Sequence, residues 1–580
     1  MELQTNHRTR RRVRRGSSLF WPAFFTFIVL AIISLSVVWY IFGLPNQEKV
    51  DAFSGIAHPV TDQGKVFPDQ TALVDQGKVY LSFDFMKETI DESLAWDEKS
   101  KTVIITTKDK TLTFVEDQLE AFVNGKPFSV QVPVKEVDGI RYLPVEPLEN
   151  IYPFRAKVID ASSVVKIERS GDAVQLGKVM GEGEHFLRTA PSLKAPYVAE
   201  LQAGETIEIF SEKEGWYYVQ KENGLIGFID KKQVQITDIK QILHTVEEKE
   251  HVPWSPLGGK INLTWEHVVS KNPDLAKIQS MPGLNVISPT WFELSNEAGD
   301  ISSKADLSYV KWAHEQGYQV WALFSNGFNP DWTTAALSTL QTRQKMIAQL
   351  LQYAQMYHLD GINIDFENVY LKDKQNLVQF VRELTPYLHE KDLVVSMDVT
   401  IKSTSEQWSL FYDRAKLAEV VDYMVVMTYD EHWASSPKAG SVASLPWVEE
   451  GLKGVLKEIP ASKLLLGVPY YTRLWKEEKD ENGQVKVTSK ALSMMQAENW
   501  IKERGLQPKY DEAAGQMYVE FVDEKVPAVT YKMWLEEKGS MKKRVELVKK
   551  YDLAGIASWR RGFEQQVIWE AIVDTMGKRP

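Results

Sequence analysis

From about residue 257 to residue 580, short apolar runs alternate with amphipathic stretches, and this alternation restricts the fold more than any other feature of the chain. The strand candidates are Leu284-Asn-Val-Ile-Ser-Pro, Gln319-Val-Trp-Ala-Leu-Phe, Gly361-Ile-Asn-Ile-Asp-Phe, Leu393-Val-Val-Ser-Met-Asp, Tyr423-Met-Val-Val-Met-Thr, Leu464-Leu-Leu-Gly-Val-Pro and Gly555-Ile-Ala-Ser-Trp. A further one near Lys260-Ile-Asn-Leu completes eight. Helical patterns such as 338–357 and 372–389 lie between them. Near-continuous apolar strands are those of a parallel sheet covered on both faces, and repeated strand–helix units over about 250 residues or more predict a TIM (β/α)8 barrel. The stretch 476–530 is long for one loop and predicts a small inserted α+β subdomain. A chain of 580 residues is too long for one ordinary core, so further folded units are expected before residue 257.

In such a barrel the functional side chains sit at the C-terminal ends of the strands. Four predicted strand ends carry candidates: Asn363, Asp365 and Glu367 on one, Asp398 on the next, Tyr429 and Asp430 on the third, and Trp559 on the last. Strand side chains alternate, so Asn363, Asp365 and Glu367 share a face. A neighbouring negative charge raises the pKa of a carboxylic acid, so Asp365 helps to keep Glu367 protonated for work as a general acid. Residues i and i+2 of one strand lie about 6.6 Å apart and project from the same side. A nucleophile for double displacement must face the acid from across the scissile bond. That geometry disfavours Asp365 as a nucleophile and leaves Asp398 open.

The run Asp360-Gly-Ile-Asn-Ile-Asp-Phe-Glu367 resembles the DxxDxDxE signature of glycoside hydrolase family 18, the chitinase-like enzymes. Met427-Thr-Tyr-Asp430 resembles that family's M-x-Y-D strand, and Trp559 resembles the tryptophan that ends its last strand. The resemblance implies a substrate-assisted retaining mechanism. Glu367 is then acid and base, Asp365 orients the substrate's acetamido group, and Tyr429 hydrogen-bonds its carbonyl oxygen. Trp559 floors the sugar, while Asn363, Met427 and Asp430 belong to the substrate-binding set. Asn363 departs from the usual aspartate. A similar asparagine occurs in members resembling the spore cortex-lytic N-acetylglucosaminidases, whose substrate is peptidoglycan.

The N-terminal part suggests export. Residues 1–18 carry the basic cluster His7-Arg-Thr-Arg-Arg-Arg-Val-Arg-Arg15, expected to stay in the cytoplasm. An uncharged, mostly apolar run over 19–44 is long enough to span a bilayer. It is longer than the apolar core of a signal peptide, and Trp39-Tyr-Ile-Phe-Gly-Leu-Pro offers no good small-residue cleavage site. An uncleaved single-pass anchor is expected, with the rest of the chain outside the cell.

Between 60 and 170 short strands repeat: Tyr80-Leu81 with Met86 is matched by Tyr142-Leu143 with Leu148. The second strands of the two repeats are Thr102–Thr107 and Val164–Glu168. The region resembles the N-terminal repeat domain of copper amine oxidases, but it holds no histidine cluster and no copper site is expected. From 176 to 235, Leu187-Arg188, Pro191, Gly204, Glu214-Gly-Trp216-Tyr-Tyr-Val219 and Gly224-Leu-Ile-Gly227 follow the order of bacterial SH3-like domains. Trp216 is expected in its core. The charged stretch 236–256 reads as a linker to the barrel domain, 257–580.

Composition narrows the chemistry. A net charge of −11 disfavours a nucleic-acid partner. The absence of cysteine removes disulfides, thiol nucleophiles and cysteine-based metal sites, and neither cofactor nor metal is expected. Of 18 tryptophans, 14 lie from Trp254 onward, most of them expected in the core and a few along a sugar-binding cleft. Together these features predict a membrane-anchored, extracytoplasmic glycosidase. Its partners would be an N-acetylglucosamine-containing polysaccharide, the cell wall through the SH3-like domain, and the bilayer through the N-terminal helix. The alternatives are a chitinase or chitooligosaccharide hydrolase, and a catalytically silent glycan-binding wall protein.

Overall fold

The computed structural model describes residues 20–42, 44–257, 259–480, 482–523 and 529–576. The basic tail expected over 1–18 lies outside them. The chain forms two compact units, Met1–Ile90 with Lys135–Glu247, and Asp91–Val134 with Glu248–Pro580.

In the first unit, Phe20–Phe42 is a continuous helix. Its segment Trp21–Tyr40 has a mean hydropathy of 2.3, and none of it is buried against protein. The internal repeat is a pair of antiparallel strands, Lys78–Ser82 and Ile140–Pro144, with Leu81 opposite Leu143. Each leads directly into a helix, Phe83–Thr89 or Val145–Leu148, so Met86 and Leu148 fall into equivalent buried places. A seven-stranded antiparallel sheet follows, built on an aliphatic core that includes Val179, Leu187, Leu201, Ile207, Val219 and Ile229. Trp216, expected in that core, is only half-buried. It stands immediately after the tight turn Glu214-Gly215, where both residues have positive φ (52° and 81°) as a two-residue hairpin requires. The last strand runs from Val234 through Gln241, into the stretch whose charge suggests a linker.

The second unit is dominated by a closed parallel barrel. Its eight strands are Ile261–Glu266, Val286–Pro289, Gln319–Ser325, Gly361–Asp365, Val394–Thr400, Tyr423–Met427, Leu464–Pro469 and Gly555–Trp559. Sequential neighbours pair from the first to the seventh, the eighth pairs with both seventh and first, and the ring is complete. Two cores explain the near-continuous apolar strands. Ile362, Ile364, Val395, Met397, Met424, Val426 and Ile556 face the surrounding helices. Leu263, Trp265, Leu323, Val394, Val425, Leu465 and Ala557 fill the lumen. With period two, Asn363 and Asp365 therefore take the lumen side of the fourth strand, as the spacing predicts. The base of the lumen is tight. Trp321 stacks on Tyr423 at 5.6 Å, and a Cβ at Gly361 would come within 2.7 Å of the Val394 carbonyl oxygen.

Two additions complete this unit. The expected insertion is larger than 476–530: strands from Tyr471–Lys479 to Val529–Leu535 form a five-stranded antiparallel sheet packed on helix Met494–Glu503. The second addition comes from the repeat domain expected over 60–170. Its middle portion, a five-stranded sheet over Ala95–Ser129, packs with the barrel. The reason is polar complementarity with helices Leu340–Tyr357 and Lys374–His389. Asp97 accepts from the Leu340 amide (2.7 Å), Thr111 donates to the Glu383 carbonyl (3.0 Å), and Asn124 donates to the Glu390 carboxylate (3.0 Å).

The two helices are joined by Arg343, which grips the Glu383 carboxylate with two bonds of 3.0 and 2.8 Å, both side chains almost fully buried. Burial already raises the Glu383 pKa, and Arg343 holds it down. Replacing Arg343 by Met leaves a buried carboxylate without its counter-ion. We expect a loss of about 3–5 kcal/mol at neutral pH in a denaturant titration. Glu383 in the variant has a folded-state pKa further above its unfolded value, so the deficit should shrink as pH is lowered and Glu383 is protonated. A pH-independent deficit would contradict this account.

Candidate active site

The lumen narrows upward to one fully buried amide. Asn363 Oδ1 accepts from Trp265 Nε1 (2.9 Å) and Ser288 Oγ (3.2 Å), and Nδ2 donates to Ser396 Oγ (3.1 Å) and Asp398 Oδ1 (2.9 Å). These bonds use both donors and both acceptor positions of the amide. Asn363 is fully buried and is not among the residues that line the cavity; it supports the cavity from beneath.

Directly above lies a cavity of about 940 Å³ at the C-terminal ends of the strands. It brings together Asp365, Glu367, Asp398, Met427, Tyr429, Asp430 and Trp559, and no Lys or Arg lines it among the described residues. Glu367 follows the end of the fourth strand, and its backbone is clamped by Asn326. The Asn326 amide donates to the Glu367 carbonyl (2.8 Å) and accepts from the Glu367 N–H (3.1 Å). Asn326 is itself fully buried and donates to Thr333 (2.9 Å). Tyr412 fixes the preceding residue by donating to the Phe366 carbonyl (2.8 Å). The general-acid candidate therefore sits on a backbone held from two sides.

Crowding three carboxyl groups into an apolar cavity raises their pKa values. Burial pushes Asp365 up to about 7, and its Oδ1 finds no hydrogen-bond partner among the described residues. Burial, then the charges of Asp365 and Asp430, pushes Glu367 well above the usual carboxylate range. Asp398 rises for the same reasons, burial first and Asp365 next, against the opposing pull of the Asn363 amide. The site therefore retains protons at a pH where isolated carboxylates have lost them. Tyr429 stays a neutral donor, because burial and these carboxylates raise its pKa.

The walls are built from several elements. Trp559 lies against Trp265 and His267, at 5.9 and 5.7 Å between ring centroids. Asp430 has φ +58° and is held by the inserted subdomain, through Tyr471 Oη (2.6 Å) and the Arg473 guanidinium (3.3 Å). Phe328, Trp408 and Trp433 line the cavity with roughly half of each ring exposed. Sequence pattern anticipated a few cleft aromatics without selecting these three; Phe328 and Trp433 come from loops and Trp408 from the short helix Glu406–Leu410. Asn326, Tyr412 and Tyr471 were also missed, because nothing local distinguishes an asparagine or tyrosine that reaches across a barrel.

Residues 292–564 match glycosyl hydrolases family 18, and their acidic strand end forms the cavity just described. This part of the chain is a family 18 glycosyl hydrolase domain. The protein is a glycoside hydrolase with chitinase-like relatives. Residues 60–167 match the copper amine oxidase N-terminal domain and residues 184–235 the bacterial SH3 domain. The uncharacterized glycosylase YvbX of Bacillus subtilis (strain 168) is 29% identical over 300 residues, which are 50% of this chain and 84% of that one. The cortical fragment-lytic enzyme of Bacillus anthracis is 26% identical over 43% of this chain. That match takes in 57% of the relative, little more than half its length. The crystal structure of the spore cortex-lytic enzyme SleL of Bacillus megaterium QM B1551 has the same fold, with a TM-score of 0.50 and 21% identity. The alignment covers 57% of this chain and 77% of that one.

The carboxyl cluster of this glycosyl hydrolase domain carries a pH prediction. The charge of Asp430 helps to raise the Glu367 pKa, so Asp430→Asn should lower it. Glu367 then loses its proton at lower pH, and the alkaline limb of kcat/KM moves toward acid. Asparagine retains an acceptor for the Tyr471 hydroxyl, so thermal unfolding should change little. An unmoved limb in a folded variant would sever Asp430 from the titration of the site.

Proposed function

We propose that the protein is an extracytoplasmic, membrane-anchored β-N-acetylglucosaminidase that cleaves β-1,4 bonds of peptidoglycan by a substrate-assisted retaining mechanism. The observation that carries the mechanism is Glu367 on a clamped backbone, just past Asp365 at the end of the fourth strand and with Tyr429 from beyond the sixth, in one cavity that no Lys or Arg lines among the described residues. Glu367 gives its proton to the glycosidic oxygen as the bond to the anomeric carbon breaks. The acetamido carbonyl oxygen of the same sugar attacks that carbon and closes an oxazolinium ring. Asp365 accepts from the acetamido N–H and offsets the ring's positive charge, and its unpartnered Oδ1 is available for this contact. Tyr429 donates to the carbonyl oxygen. Glu367, now a carboxylate, takes a proton from water, whose oxygen opens the ring from the face the leaving group vacated. The product is a reducing N-acetylglucosamine end with the original β configuration.

Asp398 is a poor nucleophile in this setting. It is fully buried under the cavity, bonded to Asn363, and pushed toward its protonated form. The exposed rings of Phe328, Trp408 and Trp433 suit the apolar faces of successive sugars. Peptidoglycan is favoured over chitin by the cortical fragment-lytic relatives and by the SH3 match, for which we propose wall binding. Asn363 and Asp430 are assigned to supporting and contacting a sugar, respectively, and Met427 and Trp559 to the sugar's floor.

Two experiments test the proposal. Purified peptidoglycan and chitin oligomers are incubated with the protein, and the released ends are identified by mass spectrometry, with NMR for the anomer first formed. We expect β-configured reducing N-acetylglucosamine ends from peptidoglycan, and Glu367→Gln to lower kcat by about 10²–10⁴-fold. Release from chitin oligomers alone would instead favour a chitooligosaccharide hydrolase, and binding without release a silent wall protein. For the anchor, fractionation should leave the full chain in the membrane pellet after a high-salt wash, with the helix Phe20–Phe42 retained. A soluble mature protein lacking that helix would show a cleaved signal peptide.

A further inference from the structure

The end of the barrel opposite the catalytic cavity carries a second cluster of ionisable groups. Asp422 immediately precedes the sixth strand, His389 ends the helix Lys374–His389, and His251 lies on the segment that leads into the first strand. The His389 Nε2 is 3.1 Å from Asp422 Oδ2, and the His251 Nε2 is 3.7 Å from Asp422 Oδ1. The two imidazoles lie face to face, 3.5 Å apart and within 9° of parallel, each aiming Nε2 at one oxygen of the same carboxylate. All three donor atoms lie within 4.8 Å of one another. The side chains are only 16%, 10% and 5% exposed for His251, His389 and Asp422.

Part of this cluster has an ordinary role in the barrel. Asp422 Oδ2 accepts from the Val395 amide (2.8 Å), as Asp360 Oδ2 accepts from Val320 (2.8 Å) and Asn285 Oδ1 from Asn262 (2.9 Å). In each case the residue before one strand ties down the strand preceding it. Asp360 also has a histidine, His314, at 2.8 Å. What sets Asp422 apart is the second imidazole. His251 is brought there by a docked segment whose Trp254 packs edge-on against Trp321 at 6.0 Å and whose Trp254 carbonyl accepts from Tyr423 Oη (2.9 Å). A single proton between His389 and Asp422 gives the third group nothing to bind: His251 Nε2 is buried without a hydrogen-bond partner among the described residues.

We infer that His251, His389 and Asp422 form a site for a divalent transition-metal ion of the zinc type, which fastens the entry segment to the barrel base. Two imidazoles and one carboxylate are a common donor set for zinc. Ligand atoms about 2.0–2.1 Å from a tetrahedral ion stand about 3.3 Å from one another, and the distances of 3.1 and 3.7 Å bracket that spacing. Closing on an ion requires the stacked rings to turn out of parallel so that both in-plane lone pairs converge on one point. The nearby ammonium of Lys463 is turned to the carbonyls of Ala418 and Val421 (2.7 Å each) and leaves the carboxylate to the imidazoles.

The test uses the full, untagged chain in detergent, stripped with a chelator and titrated with zinc chloride by calorimetry and thermal unfolding. We expect one zinc ion bound and a melting temperature that rises with zinc. His251→Ala and His389→Ala should each weaken zinc affinity at least about tenfold, the scale on which even outer partners of a metal act. His314→Ala, which removes a lone histidine from an aspartate of the same kind, should leave binding unchanged. Asp422 is kept intact because it also holds the fifth strand. Absence of zinc binding would overturn the site, as would zinc binding that both histidine variants retain.

Discussion

The side-chain amide of Asn363 joins four of the eight barrel strands at one point. Its partners Trp265, Ser288, Ser396 and Asp398 come from the first, second and fifth strands, and the amide itself from the fourth. A buried polar group of this kind stabilises a fold only when every donor and acceptor is used, and here they are. Above it lies the cavity lined by carboxyl groups and aromatic rings among other side chains; below it the lumen is closed by Trp321 and Tyr423. The amide is the boundary between a core that specifies the barrel and a cavity that does chemistry. An aspartate in its place could offer Asp398 a hydrogen bond only by keeping a proton, whereas an amide donates at every pH.

That neutral boundary has an electrostatic consequence. With no Lys or Arg lining the cavity among the described residues, burial pushes Asp365, Glu367 and Asp398 toward their protonated forms, and neighbouring carboxylates add to the shift of Glu367 and Asp398. Such an arrangement costs folding stability, since carboxylates are easily solvated in the unfolded chain. It suits a reaction in which positive charge develops on the substrate, because the cavity holds one ready proton and a carboxylate close by. The clamps at Asn326 and Tyr412 fit the same requirement. A general acid must be held near its productive position before the substrate arrives, and backbone bonds do that at less entropic cost than restraining a long side chain.

The opposite end of the barrel follows a different logic. There Asp360, Asp422 and Asn285 cap the strand edges that the helices leave uncovered, and the docking of Trp254 plugs the lumen. The signature residue Asp360 thus belongs to the scaffold, even though it heads the run that ends in Glu367. Stability and chemistry occupy the two ends of the same strands, as is usual for this architecture.

How much of this was visible in the sequence depended on whether the signal was local. Strand periodicity put Asn363, Asp365 and Glu367 on one face, and the apolar runs were continuous enough to imply a sheet covered on both sides; both follow from backbone geometry, which short segments express by themselves. The barrel, the inserted subdomain and the carboxyl groups at the end of its fourth strand were legible for that reason. Contacts between distant segments were not. The reach of Asn326 to the backbone of Glu367, the hold of Tyr471 on Asp430, the cavity rings of Phe328, Trp408 and Trp433, and the packing of the sheet over Ala95–Ser129 with the barrel have no local pattern. Nor does the meeting of His251, His389 and Asp422. The sequence by itself determined the period and the strand ends. Tertiary structure alone decided that the Asn363 amide is fully buried beneath the cavity, because that depends on which strands close around it.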